Sequence, residues 1–233
     1  DAVQAVVAAL RGPGVLPPGG AEPVGGAGLA APLRPLRVDL STVAIDRGKL
    51  LSKKELDALT EPYKRHLFTD DGISPRAVPG HPKAVYAAAS DEHDEFGHIS
   101  EDMVNRRNMM QKRMKKLEVA RQEIRAPARY GPAEAAIVLV GWGSTYGVLR
   151  EVVDRLDGEA RLVHFCDLWP FPAEAAAEAL QGGKLVIVEN NYTGQFKRLL
   201  QGETCIAIDH SIRRYDGRPF SPEEILAGLK EVR

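Results

Sequence analysis

Long apolar runs, almost free of polar residues, recur in the second half of the chain. The sequence reads IVLVGWGSTYG over 137–147, RLVHFCDLWPFP over 161–172 and KLVIVENNYTGQ over 184–195. An uninterrupted apolar run of this kind is typical of a strand buried on both faces, as in a parallel sheet. Small, turn-forming residues follow each run, and a helical pattern comes next. The alternation predicts an α/β fold built from βαβ units.

These units predict a parallel sheet with helices on both faces, because parallel strands are joined by crossovers that cover the sheet. The helical pattern AEAAAEAL over 173–180 follows the second run, and a short apolar run, CIAIDH, ends the series at 205–210. We therefore expect a core of three or four parallel strands, near 136–141, 162–167, 184–189 and 205–208.

The first 46 residues have a more irregular pattern. Residues 1–10 predict one short helix, and residues 34–46 have an extended, β-rich pattern. Between them, residues 12–30 contain seven glycines and four prolines. Packed strands and helices do not tolerate that composition, so this stretch is interpreted as a flexible linker or a disordered tail.

Two helices are predicted in the middle of the chain. SKKELDAL, over 52–59, carries a capping-box signature in Ser52 and Glu55. The longest helix is predicted over 101–124, where apolar residues recur at steps of three, four or seven: Met103, Met110, Met114, Leu117 and Ile124. PARYGP, over 127–132, is then interpreted as a linker into the α/β domain.

Composition and charge narrow the function classes. The 233 residues include 44% hydrophobic ones, enough for a core, and the net charge of −1 argues against a dedicated nucleic-acid-binding protein. No apolar run is long enough to span a membrane and no secretory signal is visible, so we expect a cytoplasmic protein. The chain begins with Asp1 rather than Met, so we expect a fragment, a processed form or a trimmed tag.

The two cysteines, Cys166 and Cys205, both lie within apolar runs. We therefore expect them to pack as small buried residues rather than to form a disulfide. Two cysteines also cannot supply the four ligands that an iron–sulfur cluster normally takes.

The ends of two predicted strands carry candidate binding residues. Open α/β sheets bind ligands beyond the carboxyl ends of their strands, which makes six residues candidates for contact with a substrate or anionic cofactor: Gly143, Ser144, Thr145, Asn190, Asn191 and Thr193. The G-x-G of 141–143 lacks the third glycine of the dinucleotide fingerprint. The alternative interpretation is a tight turn at 141–145 and a helix cap at Asn191 or Thr193.

The loop TDDGISPRAVPGHP, over 69–82, contains two glycines and three prolines. Proline fixes φ and glycine permits tight turns, so the loop has a preset shape that holds Arg76 in one place. Two interpretations of Arg76 stay open. It pairs with an acidic residue of 91–102, or it binds the carboxylate or phosphate of a substrate or cofactor through its planar fork of donors.

The most polar segment is SDEHDEFGHISED, over 90–102. Its histidine and carboxylate spacing matches no metal-ligand template, so no metal site is predicted. We interpret it as an acidic loop whose Ser100, Glu101 and Asp102 cap the following helix. The basic stretch 106–121 is interpreted as a solvated helix face, paired in part with this loop, rather than a nucleic-acid contact.

Several of these segments, taken in order, resemble the alpha subunit of 2-oxoacid:ferredoxin oxidoreductases, and in particular the 2-oxoglutarate type. The resemblance runs from about residue 37 to residue 233. The segments that carry it are IDRGKLL (45–51), DGISPRAVPG (71–80), EHDEFGHISED (92–102), RNMMQKR (107–113), VGWGSTYG (140–147), LWPFP (168–172) and ENNYTGQ (189–195).

This resemblance implies an enzyme that oxidatively decarboxylates a 2-oxoacid on thiamine diphosphate, forms an acyl-CoA and passes electrons to ferredoxin. It implies a beta subunit as partner, in an alpha–beta heterodimer or larger assembly, which holds Mg²⁺, the cofactor diphosphate and a [4Fe-4S] cluster. This chain alone is expected to bind none of these groups.

The resemblance also implies a domain organisation. Residues 1–36 form an atypical segment, 37–126 the tail of a pyrimidine-type thiamine-binding domain with a connecting helix, and 127–233 a domain like the C-terminal domain of transketolase. The core of the thiamine domain, with its cofactor-activating glutamate, belongs upstream in this family, so we expect the chain alone to be inactive. Residues 12–30 also depart from the family, and a reading-frame error is one hypothesis for that stretch.

Two other functions stay open at this point. The chain could belong to another thiamine enzyme, of the transketolase or 2-oxoacid dehydrogenase beta type, or it could be a non-enzymatic α/β assembly module. The segments 71–80 and 92–98 favour the ferredoxin-linked family, because we associate them with that family only.

Overall fold

The structure is a computed structural model that describes residue 44 and residues 46–232. The helix predicted over 1–10, the segment 12–30 and most of the extended stretch 34–46 lie outside these residues. The chain divides into two compact units. The first contains the described residues up to Leu67 together with 74–90 and 95–98, and the second contains 68–73, 91–94 and everything from Ile99 onward.

The first unit contains a short helix, α1 (Lys53–Asp57), and a 3₁₀ turn (Pro82–Ala84). The predicted capping box is confirmed. The Ser52 hydroxyl accepts a hydrogen bond from the Glu55 amide, and the Ser52 amide donates to the Glu55 carboxylate at 2.7 Å. This reciprocal pair satisfies backbone donors that have no partner within the helix.

The second unit contains five helices and a five-stranded sheet. The helices are α2 (Met103–Ala120), α3 (Tyr146–Arg155), α4 (Ala173–Ala179), α5 (Gln195–Thr204) and α6 (Pro222–Lys230). The strands are β1 (Ala128–Tyr130), β2 (Ile137–Trp142), β3 (Ala160–Phe165), β4 (Lys184–Glu189) and β5 (His210–Arg213). Their order across the sheet is β1-β3-β2-β4-β5.

The predicted α/β class is confirmed, with helices on both faces of the sheet. Successive strand residues point to opposite faces, so Val138 and Val140 pack in a cluster with side chains of α4 and α5. Ile137 and Leu139 pack on the other face, with side chains of α3 and α6. The central strands are therefore buried on both sides, as their apolar runs predict.

The sheet differs from the prediction at both edges. β1 lies within the predicted linker 127–132 and pairs antiparallel with β3, so the sheet is mixed, although β2 to β5 pair in parallel. The strand predicted over 205–208 is wrong. α5 runs through Thr204, Cys205 ends it in a left-handed conformation (φ 59°), and β5 begins only at His210.

The long helix starts close to its predicted position but ends earlier. It stops at Ala120, and a 3₁₀ turn covers Arg121–Glu123. The spaced apolar residues do not form a buried face, since Met103 is 82% exposed, whereas Met109, which lies outside that spacing, is buried. Met110 and Met114 are exposed as well, so the methionine spacing marks a face that the described part of the chain leaves largely uncovered.

The cysteine prediction is correct about the absence of a disulfide but wrong about burial. Both thiols are free and exposed. Cys166 follows the last residue of β3 and Cys205 caps α5, so each lies just outside the element that its apolar neighbours suggest. As to membranes, none of the helices in the described ranges combines the length and the apolar character that a transmembrane span needs.

Candidate functional site

The end of β2 turns sharply into α3 through a 3₁₀ turn, Gly143–Thr145. A Cβ atom on Gly141 would lie 2.2 Å from Leu149 Cδ1 and 2.7 Å from Thr145 Oγ1, so any other residue there would require these buried side chains to shift. Thr145 is buried. Its hydroxyl donates to the Trp142 carbonyl at 2.9 Å and accepts from the Trp142 amide at 3.0 Å. Thr145 therefore builds the turn, and Gly143 and Ser144 are exposed at its rim.

A buried histidine on the neighbouring strand supports this turn. His164 Nε2 lies 3.1 Å from the carbonyl oxygen of Gly143, and Tyr146 contacts the imidazole edge-on, with ring centroids 5.1 Å apart. Burial lowers the pKa of His164, so the ring is neutral near pH 7 and donates its Nε2 proton to Gly143. The sequence did not single out His164, because an isolated histidine in an apolar strand carries no pattern.

The end of β4 is organised by a fully buried carboxylate. Glu189 accepts hydrogen bonds from the Phe196 amide at 2.9 Å, the Lys197 amide at 3.3 Å and Asn191 Nδ2 at 2.7 Å. It thereby satisfies the first backbone donors of α5, where a negative charge is favoured by the helix dipole. Glu189 occupies the position at which an anionic ligand would otherwise contact this helix.

Asn191 completes the cap of α5. Its Oδ1 accepts from the amides of Gly194 at 2.8 Å and Gln195 at 3.0 Å, so its side chain caps the start of the helix, although the N-cap position itself is Gly194 rather than Asn191 or Thr193. Thr193 is exposed, and Asn190 is exposed and donates to the Arg218 carbonyl at 3.4 Å. A ligand-binding role for these residues stays a prediction.

The two strand ends lie side by side. β2 and β4 are neighbours in the sheet, but the chain leaves β2 toward β3 on one side and leaves β4 toward β5 on the other. Such a topological switch point opens a crevice between the two following loops. The strand-end crevice, defined by residues 143–145 and 190–193, therefore collects all six predicted strand-end residues at one edge of the sheet.

Arg76 belongs to the first unit and is half-buried. Its amide donates to the Lys49 carbonyl at 2.9 Å, and its carbonyl accepts from the Leu51 amide at 2.9 Å. Its Nη2 donates to the carbonyl oxygen of Arg47 at 2.9 Å. Of the acidic residues of 91–102, which one of the two interpretations pairs with Arg76, only Glu95 belongs to this unit, and it pairs with Lys64 at 2.8 Å.

The acidic segment caps and pairs with α2, as predicted. Asp102 is the N-cap, and its carboxylate accepts from the Val104 amide at 2.9 Å. The Glu92 carboxylate accepts from Arg113 Nη2 at 2.6 Å and also pairs with Arg106. Within the described ranges, no three His, Cys, Asp or Glu side chains come together as a potential metal site.

These ion pairs predict a pH-dependent contribution to stability. The hydrogen bond from Arg113, and then that from Arg106, lower the pKa of Glu92 from 4.5 to about 2. A carboxyl with a lowered pKa stabilises the fold above its unfolded pKa, and this contribution is lost as the pH falls toward the folded pKa. Glu92→Gln should lower the free energy of unfolding by about 1–3 kcal/mol near neutral pH.

The difference in free energy of unfolding between Glu92→Gln and the unsubstituted chain should become smaller as the pH falls below about 4.5. Urea titrations at several pH values would measure this difference. Glu101→Gln, at an exposed position beside the same helix, is the control and should show no such trend. If Glu92→Gln lowers the free energy of unfolding by the same amount at every pH, the Glu92 carboxylate does not have the lowered pKa given above.

Comparison with known proteins gives relatives of similar sequence. No model of a known protein family matches the chain. The alpha subunit of 2-oxoacid:ferredoxin oxidoreductase 1 from Sulfurisphaera tokodaii is 38% identical over 199 residues, which cover 84% of this chain and 31% of that subunit. The alpha subunit of 2-oxoacid:ferredoxin oxidoreductase 2 from Aeropyrum pernix is 37% identical over 202 residues, which cover 84% of this chain and 30% of that subunit.

A solved structure gives a similar result. The 2-oxoglutarate:ferredoxin oxidoreductase from Magnetococcus marinus matches with a TM-score of 0.66 and 30% identity over 84% of this chain and 34% of its own. The chain thus spans about a third of the length of the proteins it matches. Sequence and fold together place the chain in the family of 2-oxoacid:ferredoxin oxidoreductase alpha subunits, of which it corresponds to one part.

Proposed function

We propose that this chain is part of the alpha subunit of an enzyme that oxidatively decarboxylates a 2-oxoacid to an acyl-CoA and passes the electrons to ferredoxin. The observation that supports this most is the match with the Magnetococcus marinus enzyme, which was solved with 2-oxoglutarate, coenzyme A and succinyl-CoA bound. On the same ground we propose 2-oxoglutarate as the substrate. Residues 127–233 would then serve as the transketolase C-terminal-like domain of the subunit, after the tail of the thiamine domain in 37–126.

The chain's own residues do not fit an iron–sulfur cluster. Cluster ligation normally takes four cysteines, and this sequence has two, one at the end of β3 and one at the end of α5. The beta subunit and the remainder of the alpha subunit would therefore supply the [4Fe-4S] cluster, Mg²⁺ and the thiamine diphosphate site. The proposed contribution of this chain is binding and positioning.

Arg76 is the proposed ligand for a carboxylate of the 2-oxoacid. One guanidinium nitrogen of Arg76 donates to the carbonyl oxygen of Arg47, and the other nitrogens have no acceptor in the described part of the chain. Arginine presents five donors in a planar fork that matches a carboxylate. A guanidinium that is held in place but retains donors suits this task.

The strand-end crevice is proposed to contact an anionic cofactor, with coenzyme A as the candidate. The exposed residues Gly143, Ser144, Asn190 and Thr193 would make these contacts, whereas Thr145 and Asn191 would act by fixing the turns. Because the Glu189 carboxylate already occupies the start of α5, the phosphates are expected on the β2 side of the crevice, near the Ser144 amide and hydroxyl.

The test is an assay of the complete alpha subunit with its beta partner. Ferredoxin reduction should depend on both 2-oxoglutarate and coenzyme A. Arg76→Lys should raise the KM for the 2-oxoacid about tenfold, roughly 1.4 kcal/mol of lost binding, because the ammonium cannot form the paired contacts of a guanidinium. The KM for coenzyme A should not change.

Arg47→Lys is the matched control, because Arg47 contributes its carbonyl oxygen to Arg76 and its own side chain is exposed. It should leave both KM values within about twofold of the unsubstituted enzyme. A complex that reduces ferredoxin equally well without any 2-oxoacid would refute the proposed reaction. An Arg76→Lys complex with an unchanged KM for the 2-oxoacid would refute the role of Arg76.

A further inference from the structure

We infer that Tyr63 is a positioning residue that holds Arg76 in the orientation for binding a 2-oxoacid carboxylate, an inference that rests on the function proposed for Arg76. Its hydroxyl donates to the Pro75 carbonyl at 3.1 Å and accepts from the Ala77 amide at 3.0 Å. One hydroxyl group thus connects the residues immediately before and after Arg76.

The other side of the same segment is held by main chain. The amide and carbonyl of Arg76 bond to Lys49 and Leu51, so each backbone polar group from the Pro75 carbonyl to the Ala77 amide has a partner. The direction of a side chain follows from its backbone conformation, and the allowed rotamers follow from both. Rotation of the backbone at Arg76 would break bonds on both sides at once.

Tyr63 is itself fixed. It is 6% exposed, and Tyr86 contacts its ring edge-on with centroids 6.1 Å apart. Burial raises the pKa of Tyr63, so the phenol keeps the proton that it donates to Pro75 at any physiological pH. The positioning contact is therefore kept throughout the physiological pH range.

This arrangement serves binding because the guanidinium is the mobile part. An arginine side chain loses rotamer entropy when it is immobilised. If the protein already orders the side chain before the ligand binds, binding does not have to offset this loss of entropy, and the affinity is higher. The hydrogen bond to Arg47 holds the guanidinium, and the Tyr63 hydroxyl holds the backbone from which the Arg76 side chain extends.

The experiment replaces Tyr63 by phenylalanine in the complete alpha–beta complex, which removes the hydroxyl and keeps the ring. We expect the KM for the 2-oxoacid to rise about five- to tenfold with kcat within about twofold, the signature of lost uniform binding. The KM for coenzyme A should stay unchanged. Hydrogen exchange at the Ala77 amide should accelerate at least about tenfold.

Tyr86→Phe is the matched control, because Tyr86 touches the Tyr63 ring but is 45% exposed and lies outside the hydrogen bonds that hold Arg76. It should leave both KM values unchanged. All assays are to be run at a temperature at which circular dichroism shows each variant complex folded, so that a kinetic change is not a folding defect.

A double-substitution cycle decides whether Tyr63 acts through Arg76. In the Arg76→Lys background, Tyr63→Phe should raise the KM by less than about twofold, because the oriented guanidinium is already gone. The positioning role would be overturned if Tyr63→Phe raised the KM for the 2-oxoacid equally in the Arg76 and Arg76→Lys backgrounds. It would also be overturned if Tyr63→Phe left this KM unchanged in the Arg76 background. If Arg76→Lys itself leaves the KM unchanged, the failure belongs to the proposed function of Arg76 and not to Tyr63 alone.

Discussion

Glu189→Ala should lower the free energy of unfolding of this chain by about 3–5 kcal/mol, because it leaves three hydrogen-bond donors without their acceptor. Those donors are the amides of Phe196 and Lys197 and the side-chain amide of Asn191. The Phe196 amide is buried and the other two donors are half-buried, and a buried donor without a partner costs about 1–3 kcal/mol. The substitution also removes a negative charge from the start of α5, where the helix dipole favours it.

Urea or guanidinium titration of the purified chain would measure this loss. Glu189→Gln should lower the free energy of unfolding by about half as much. The glutamine side chain keeps one acceptor oxygen, but its NH2 group would face the N–H donors that the second carboxylate oxygen accepts from. Glu203→Ala is the control on the same helix, at an exposed position, and should change the free energy by no more than about 0.5 kcal/mol. A loss for Glu189→Ala below about 1 kcal/mol would mean that the buried carboxylate does not hold this loop.

The predicted consequence extends to the strand-end crevice. Asn191 takes part in the Glu189 network through its Nδ2 and in the cap of α5 through its Oδ1. When the carboxylate is lost, the turn that presents Asn190 and Thr193 loses its main support. If the crevice binds coenzyme A in the complete enzyme, Glu189→Gln should therefore raise the KM for coenzyme A more than the KM for the 2-oxoacid.

The central strands could be predicted from sequence because burial on both faces leaves a continuous apolar run. β2 and β4 match this rule closely, since residues 138–140 of β2 and residues 186–188 of β4 are fully buried. The same rule fails at the sheet edges. β1 has three mostly exposed residues and no apolar run, and the apolar residues after Cys205 pack beside the sheet without pairing in it.

The candidate site was predictable only in part, for a related reason. Capping by Asn191 and Asp102 is local in sequence, so residue type and position indicate it. The contacts of His164 with Gly143 and of Tyr63 with Ala77 join residues 21 and 14 positions apart. No pattern within one element reports such contacts, because they depend on how the elements pack.

Gly97→Ala should be among the most destabilising single substitutions in the first unit, because two penalties coincide there. Gly97 has φ +90°, and a Cβ atom would lie 2.0 Å from the Ala87 carbonyl oxygen. A non-glycine residue with positive φ costs about 1–2 kcal/mol. The collision is with main chain, which cannot rotate away as a side-chain tip can, so we expect a total of about 3–5 kcal/mol.

Gly80→Ala separates the two penalties. Gly80 has φ +106°, and a Cβ atom there would meet no atom of the described residues within 4 Å, so this variant should show the backbone penalty alone. Hydrogen exchange at the His66 and Ala89 amides, which bond to the carbonyls of Glu95 and Gly97, would report the stability of this region directly. Protection should fall at least about tenfold further in Gly97→Ala than in Gly80→Ala, which corresponds to about 1.4 kcal/mol. Equal protection in the two variants would mean that the backbone near Ala87 moves away from the added Cβ atom with little loss of stability. Glycine would then be needed at position 97 only for its backbone conformation.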